Sequence, residues 1–131
     1  MENVKPKVLI VDDDKFLLNM YSIKFSKSDF EVNSALSGEE AFNKIKDGYE
    51  PDIILLDIVM PGMDGFEILE SLKKNNIATK ALIIMLTNQG QLSDIEKAKS
   101  FGINGYIIKA TTIPSEVVEE VKRIYNLQKN K

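Results

Sequence analysis

Apolar residues along this chain follow two alternating rhythms. Short continuous runs at Val8 to Val11, Ile53 to Leu56, Leu82 to Leu86 and Tyr106 to Ile108 have the length and composition of strands buried on both faces. Between them apolar positions recur at helical spacing: Leu17, Tyr21 and Phe25, then Phe66, Leu69 and Leu72, then Leu92, Ile95 and Ala98, and finally Val117, Val118, Val121, Ile124 and Tyr125. The stretch from Phe30 to Ala35 differs. Phe30 and Val32 alternate with Glu31 and Asn33, the pattern of a half-exposed edge strand.

Punctuation residues set the boundaries. Ser37 and Glu40 have capping-box spacing ahead of a short helix that ends near Lys46. Gly65 opens the next helix, which runs to about Asn75. Gly102, between Phe101 and Ile103, has the setting of a left-handed helix stop, and Thr112 with Pro114 starts the last helix. Strands are predicted over 7–11, 30–35, 52–56, 81–86 and 105–108, with a helix after each. Such alternation predicts an α/β fold, a doubly wound five-stranded parallel sheet. With the second strand at the edge, the strand order is 2-1-3-4-5, and a crevice opens at the carboxyl ends of the first and third strands.

The 131 residues suit one domain over 1–131, with a core at about 6–127 and a polar tail over 128–131. Hydrophobic residues at 44% and charged residues at 28% argue for a folded chain. A formal charge of −3 speaks against a cationic surface for nucleic acid, so direct nucleic-acid binding is not expected. The opening Met1 to Lys7 lacks the apolar core of a signal peptide, and no run approaches the roughly 20 apolar residues of a membrane span. A cytoplasmic location is expected. There is no cysteine or histidine, so any chemistry falls to carboxylates, hydroxyls and lysines.

Those groups stand where the crevice is predicted. Asp12 and Asp13 follow the first run, Asp57 the second, Thr87 the third and Lys109 the last. Three carboxylates together repel one another, so the arrangement calls for a cation. Magnesium is the natural one, because it takes oxygen ligands from a few carboxylates and leaves positions for phosphate. A carboxylate is also a nucleophile toward phosphorus. Asp57 stands alone at a central strand end and suits that role, with Asp12 and Asp13 serving the metal and Thr87 and Lys109 the phosphoryl oxygens. Each residue also has a plain alternative: Thr87 or Asp57 as a turn former, Lys109 as a solvated surface residue, Tyr106 as an ordinary packed aromatic, and Asp12 to Asp14 as an acidic helix cap. Their joint placement at the ends of the right strands favours an assembled site.

Four segments carry a family resemblance: Val8-Leu-Ile-Val-Asp-Asp-Asp14, Pro51-Asp-Ile-Ile-Leu-Leu-Asp-Ile-Val-Met-Pro-Gly-Met-Asp-Gly65, Met85-Leu-Thr87 and Gly105-Tyr-Ile-Ile-Lys109. Over essentially its whole length the chain resembles the receiver domain of bacterial two-component response regulators, including the single-domain chemotaxis type. The resemblance implies a flavodoxin-like receiver fold. It also implies phosphorylation on Asp57, assisted by Thr87 and Lys109. Magnesium, for which manganese can substitute, would be held by Asp13, Asp57 and the backbone carbonyl of Val59, with Asp12 acting through water. The implied donor is a phosphohistidine on a sensor histidine kinase or histidine phosphotransfer protein, and the chain is a phosphoacceptor switch rather than an enzyme. Thr87 and Tyr106 are the implied switch pair. They would repack the face of the fourth helix, fifth strand and fifth helix for a downstream protein or effector domain, or for a second copy in a homodimer.

The chain departs from the family pattern in three places. Ala110 follows Lys109 where the family has a proline on a cis bond. A cis Lys109–Ala110 bond, at about 3–4 kcal/mol, is favoured over a rerouted loop. Asn88 stands where a small residue is usual, and Val59 and Gln89 occupy positions that tune hydrolysis. Two other functions compete. A haloacid dehalogenase-type phosphatase would use the Asp12-x-Asp14 pattern, yet it leaves Asp57 unexplained and lacks a further acidic pair after Lys109. A phosphorylation-independent interaction module would not need the full residue set.

Overall fold

The computed structural model describes residues 4–130. Met1 to Glu2 and Asn3, and Lys131 of the expected polar tail, lie outside the described residues. In chain order the elements are β1 (Lys7–Val11), α1 (Lys15–Ser26), β2 (Glu31–Ala35), α2 (Gly38–Lys46), β3 (Ile53–Leu56), α3 (Gly65–Lys74), β4 (Leu82–Thr87), α4 (Leu92–Ser100), β5 (Gly105–Ile108) and α5 (Pro114–Lys129). All strand pairs are parallel and the sheet order is β2-β1-β3-β4-β5. The order reverses between β1 and β3, as the edge pattern of β2 predicts.

The continuous apolar runs follow from a sheet covered on both faces, because successive side chains of a strand point to opposite layers. One layer joins Val8, Ile10, Leu55 and Ile84 to Tyr21 and Phe25 of α1 and Val117 and Val121 of α5. The other joins Leu9, Val11, Ile54, Leu56 and Met85 to α2, α3 and Ala98 of α4. Among the described residues no helix is long and apolar enough to cross a membrane.

Several local expectations are corrected. α5 continues through Lys129, so Gln128 and Lys129 are helical, and good helix formers there give the chain no reason to stop earlier. At α2, Ser37 accepts the Glu40 N–H as expected, but the Glu40 carboxylate accepts from the Leu36 N–H at 2.7 Å, one residue before the cap. Leu92, expected on one face with Ile95 and Ala98, is 70% exposed, because at about 3.6 residues per turn it lies about 120° round the axis from the buried Ala98. Among the described residues every peptide bond is trans, so the cis bond favoured at Lys109–Ala110 is absent. Without proline nothing offsets its cost, and the chain instead enters a single 3₁₀ turn over Lys109–Thr111. Gly102 takes φ +78°, the left-handed conformation expected of the helix stop.

Candidate functional site

The sheet delivers its polar groups to one end. Asp12 is the first residue beyond β1, and its N–H donates to the Ala35 carbonyl of β2 at 3.1 Å. Asp57 is the first beyond β3, and its N–H donates to the Val11 carbonyl at 3.1 Å. Main-chain bonds continuing the ladders thus fix the backbone that carries both carboxylates. Thr87 closes β4 and Lys109 follows β5. Asp14, which carries no catalytic assignment, caps α1 by accepting the Leu17 N–H at 3.1 Å.

The loop after Asp57 is held by Gly65. Its N–H donates to the Ile58 carbonyl at 2.9 Å, and a Cβ on Gly65 would collide with the backbone carbonyl oxygen of Asp57. Only glycine lets α3 start so close to the strand end. Asp64 and Glu67 then form a reciprocal capping box at 2.9 Å in each direction. The Asp-x-x-Glu spacing carries this signal in the sequence, although it was not among the expected caps.

Among the described residues the buried polar ones are Asp12, Asp57 and Thr87, at 2%, 7% and 1% exposure, whereas Asp13 is exposed. Lys109 Nζ joins the two buried carboxylates, at 2.5 Å from Asp12 Oδ2 and 3.0 Å from Asp57 Oδ2. The other Asp12 oxygen accepts the Asp14 N–H at 2.9 Å. Among the described residues no protein donor engages the other Asp57 oxygen. Burial pushes the Asp12 carboxyl above its ordinary range, more than the Lys109 and Asp14 bonds pull it down. Burial works against the charged form of Lys109, but its bonds to Asp12 and Asp57 outweigh that and hold its ammonium above the usual range. Lys109 therefore stays charged while Asp12 is poorly satisfied as an anion.

Carboxylate oxygens of Asp12, Asp13 and Asp57 lie within 4.8 Å of one another. This all-oxygen, anionic donor set fits a small hard divalent cation. Val59, expected to add its carbonyl, lies two residues after Asp57 and is 56% exposed. Thr87 is near in the sheet but bonds neither Asp57 nor Lys109. Its Oγ1 accepts the Gln89 N–H at 3.3 Å, and the Tyr106 hydroxyl donates to the Gln89 carbonyl. Gln89 thus links Thr87 to Tyr106 through its own main chain. The sequence carries no sign of that link, because any residue presents the same two groups. Tyr106 is half-buried, and burial, with Asp94 and Asp57 adding to it, keeps its hydroxyl protonated above the usual range.

Comparison with known proteins identifies the family. The model of the response regulator receiver domain family matches residues 8–122. The chemotaxis protein CheY of Halobacterium salinarum is 38% identical over 110 residues, covering 83% of this chain and 88% of that protein. A probable transcriptional regulator, ycf27, of Pyropia yezoensis is 31% identical over 95% of this chain but only 49% of its own length. The chain thus spans about half the length of that regulator, as it does of several other curated relatives. A CheY-like receiver domain structure from Methanospirillum hungatei superposes with a TM-score of 0.86 at 28% identity, covering 97% of this chain and 98% of that one. On the matched segment, the strand order and the acidic crevice, this chain belongs to the response regulator receiver domain family.

Proposed function

We propose that this chain takes a phosphoryl group from a phosphohistidine of a sensor kinase or phosphotransfer protein onto Asp57 and signals through the face of α4, β5 and α5. The observation that carries the reading is the state of Asp57: a carboxylate only 7% exposed, with one oxygen on Lys109 and the other free of protein donors. The free oxygen is the nucleophile. It forms the new O–P bond as the donor's N–P bond breaks, and the electron pair leaves on the histidine nitrogen. Lys109 is positioned to neutralise a phosphoryl oxygen, and Thr87, once released from Gln89, to donate to another. Asp12, Asp13, Asp57 and the Val59 carbonyl would hold magnesium, which supplies positive charge against the transferring group. The haloacid dehalogenase-type reading needs Asp12 as nucleophile, and both Asp12 oxygens are already engaged by Lys109 and Asp14.

The output route follows from the Gln89 link. When Thr87 turns to the phosphoryl group it gives up the Gln89 N–H, and the loop holding the Tyr106 hydroxyl is no longer fixed at that point. Intact mass after incubation with acetyl phosphate tests the acceptor. One added phosphoryl group is expected on the native chain with magnesium, and none with a chelator or on Asp57→Asn. An adduct that persists on Asp57→Asn would refute the assignment.

A further inference from the structure

The two edges of the sheet are finished differently. A strand at an edge exposes unpaired main-chain groups, and folded proteins commonly block them. At β2 the block is present at its centre: the Ser34 N–H donates to the Asn33 side chain at 2.9 Å, and Lys44 Nζ donates to the Ser34 carbonyl and to Asn33 Oδ1, both at 2.7 Å. β5 ends the sheet on the other side and pairs only with β4. Among the described residues no side chain bonds the main chain of Gly105, Tyr106 or Ile107, and the one bond to Ile108 is a marginal 3.5 Å from the Thr111 hydroxyl. Ile107 is 5% exposed and Gly105, Tyr106 and Ile108 are half-buried, so this edge is protected by brevity and partial burial rather than by bonds to its main chain.

A groove of about 810 Å³ runs beside the open edge, lined by Tyr106 and Ile108 of the strand and by Glu116, Glu119, Glu120 and Arg123 of α5. Arg123 is committed to Glu120 at 2.6 Å, and Glu119 has only an exposed, 3.8 Å pairing with Lys122. Three carboxylates face one guanidinium, so the groove is anionic. A second copy docked symmetrically would set these glutamates against each other, which disfavours self-pairing here.

We propose that the β5 edge takes an extended, positively charged segment of a partner protein as an added strand. The main chain of β5 supplies the pairing, and alternate side chains of the segment, lysine or arginine, lie toward the glutamates of α5. Four residues of ladder give weak, reversible binding. Control by phosphorylation rests on the function proposed above, because Tyr106 of this edge is tied through Gln89 to Thr87.

The test is an amide-resolved titration of the full chain with an alternating lysine–valine octapeptide and its glutamate–valine counterpart. The lysine peptide is expected to perturb residues 105–108 and 115–123, to slow amide exchange in β5 and to weaken with salt. Glu119→Lys should lower its affinity by about fivefold. Equal binding of the glutamate peptide, perturbation centred elsewhere, or none at millimolar peptide would overturn the proposal, as would self-association that accounts for the shifts. Repeating the titration after acetyl phosphate and magnesium, on the native chain and Asp57→Asn, separates the two readings. Edge binding indifferent to phosphorylation leaves the edge proposal standing and overturns its link to Asp57.

Discussion

Asp12 shows how one residue serves the site at the expense of the fold. Its carboxylate is 2% exposed and is held by a lysine and a backbone N–H, yet burial still leaves its proton bound more tightly than in water. A group whose folded pKa is raised binds more protons in the folded than in the unfolded state between the two values, so stability falls as pH rises through that window. Asp12→Asn should therefore raise the thermal midpoint at neutral pH in chelator, with a gain that shrinks as the pH is lowered toward the unfolded carboxylate value. Midpoints measured along a pH series check this, and a gain that grows in acid would contradict it. The same variant should lose affinity for magnesium. That Asp12, Asp57, Thr87 and Lys109 gather at one end of the sheet was legible in the sequence, because each directly follows or ends a strand. What Lys109 bonds without phosphate was not legible, since strand ends specify neighbourhood and not partners. Gln89 was invisible as a link because its main chain does the work.

At the scale of elements, the join between β3 and α3 places Asp57. Asp64 and Glu67 satisfy donors at the start of α3, while Gly65 fits against the carbonyl of Asp57. These two devices make different predictions. Asp64→Ala should lower the urea midpoint by the equivalent of about 1 kcal/mol, with the slope unchanged and phosphorylation nearly native. Gly65→Ala should cost more and should also slow phosphorylation, because the added carbon must displace the backbone that carries Asp57. Parallel denaturation and acetyl phosphate time courses distinguish them. Element types and order were readable from the two apolar rhythms. Their ends and faces were less so: α5 outran its expected stop by Gln128 and Lys129, and Leu92 turned away from the face of Ala98. The two have different causes: a polar run of good helix formers gives no stop signal, and a repeat of three residues drifts round a helix of about 3.6 residues per turn.

For the molecule as a whole, the sheet order was legible from a single contrast, the alternation of β2 against the continuous runs of the other strands. Lys109 then ties the result together, linking the ends of β1, β3 and β5 through two buried carboxylates. Lys109→Met leaves those carboxylates facing each other without a cation. It should destabilise the metal-free chain by about 3 kcal/mol, and magnesium should raise the midpoint of the variant more than that of the native chain. Calorimetry with and without magnesium measures both effects, and equal magnesium shifts would contradict the tie. The partner of Lys109 at Asp12 lies 97 residues earlier in the chain, and its partner at Asp57 lies 52 residues earlier. A ribosome therefore makes Asp57 and its acidic neighbours long before it makes their counter-charge. Until β5 has emerged and docked, Asp57 lacks the Lys109 ammonium beside it, so a growing or prematurely ended chain carries the proposed acceptor without that counter-charge. On the function proposed above, competence to receive a signal would arrive only with β5.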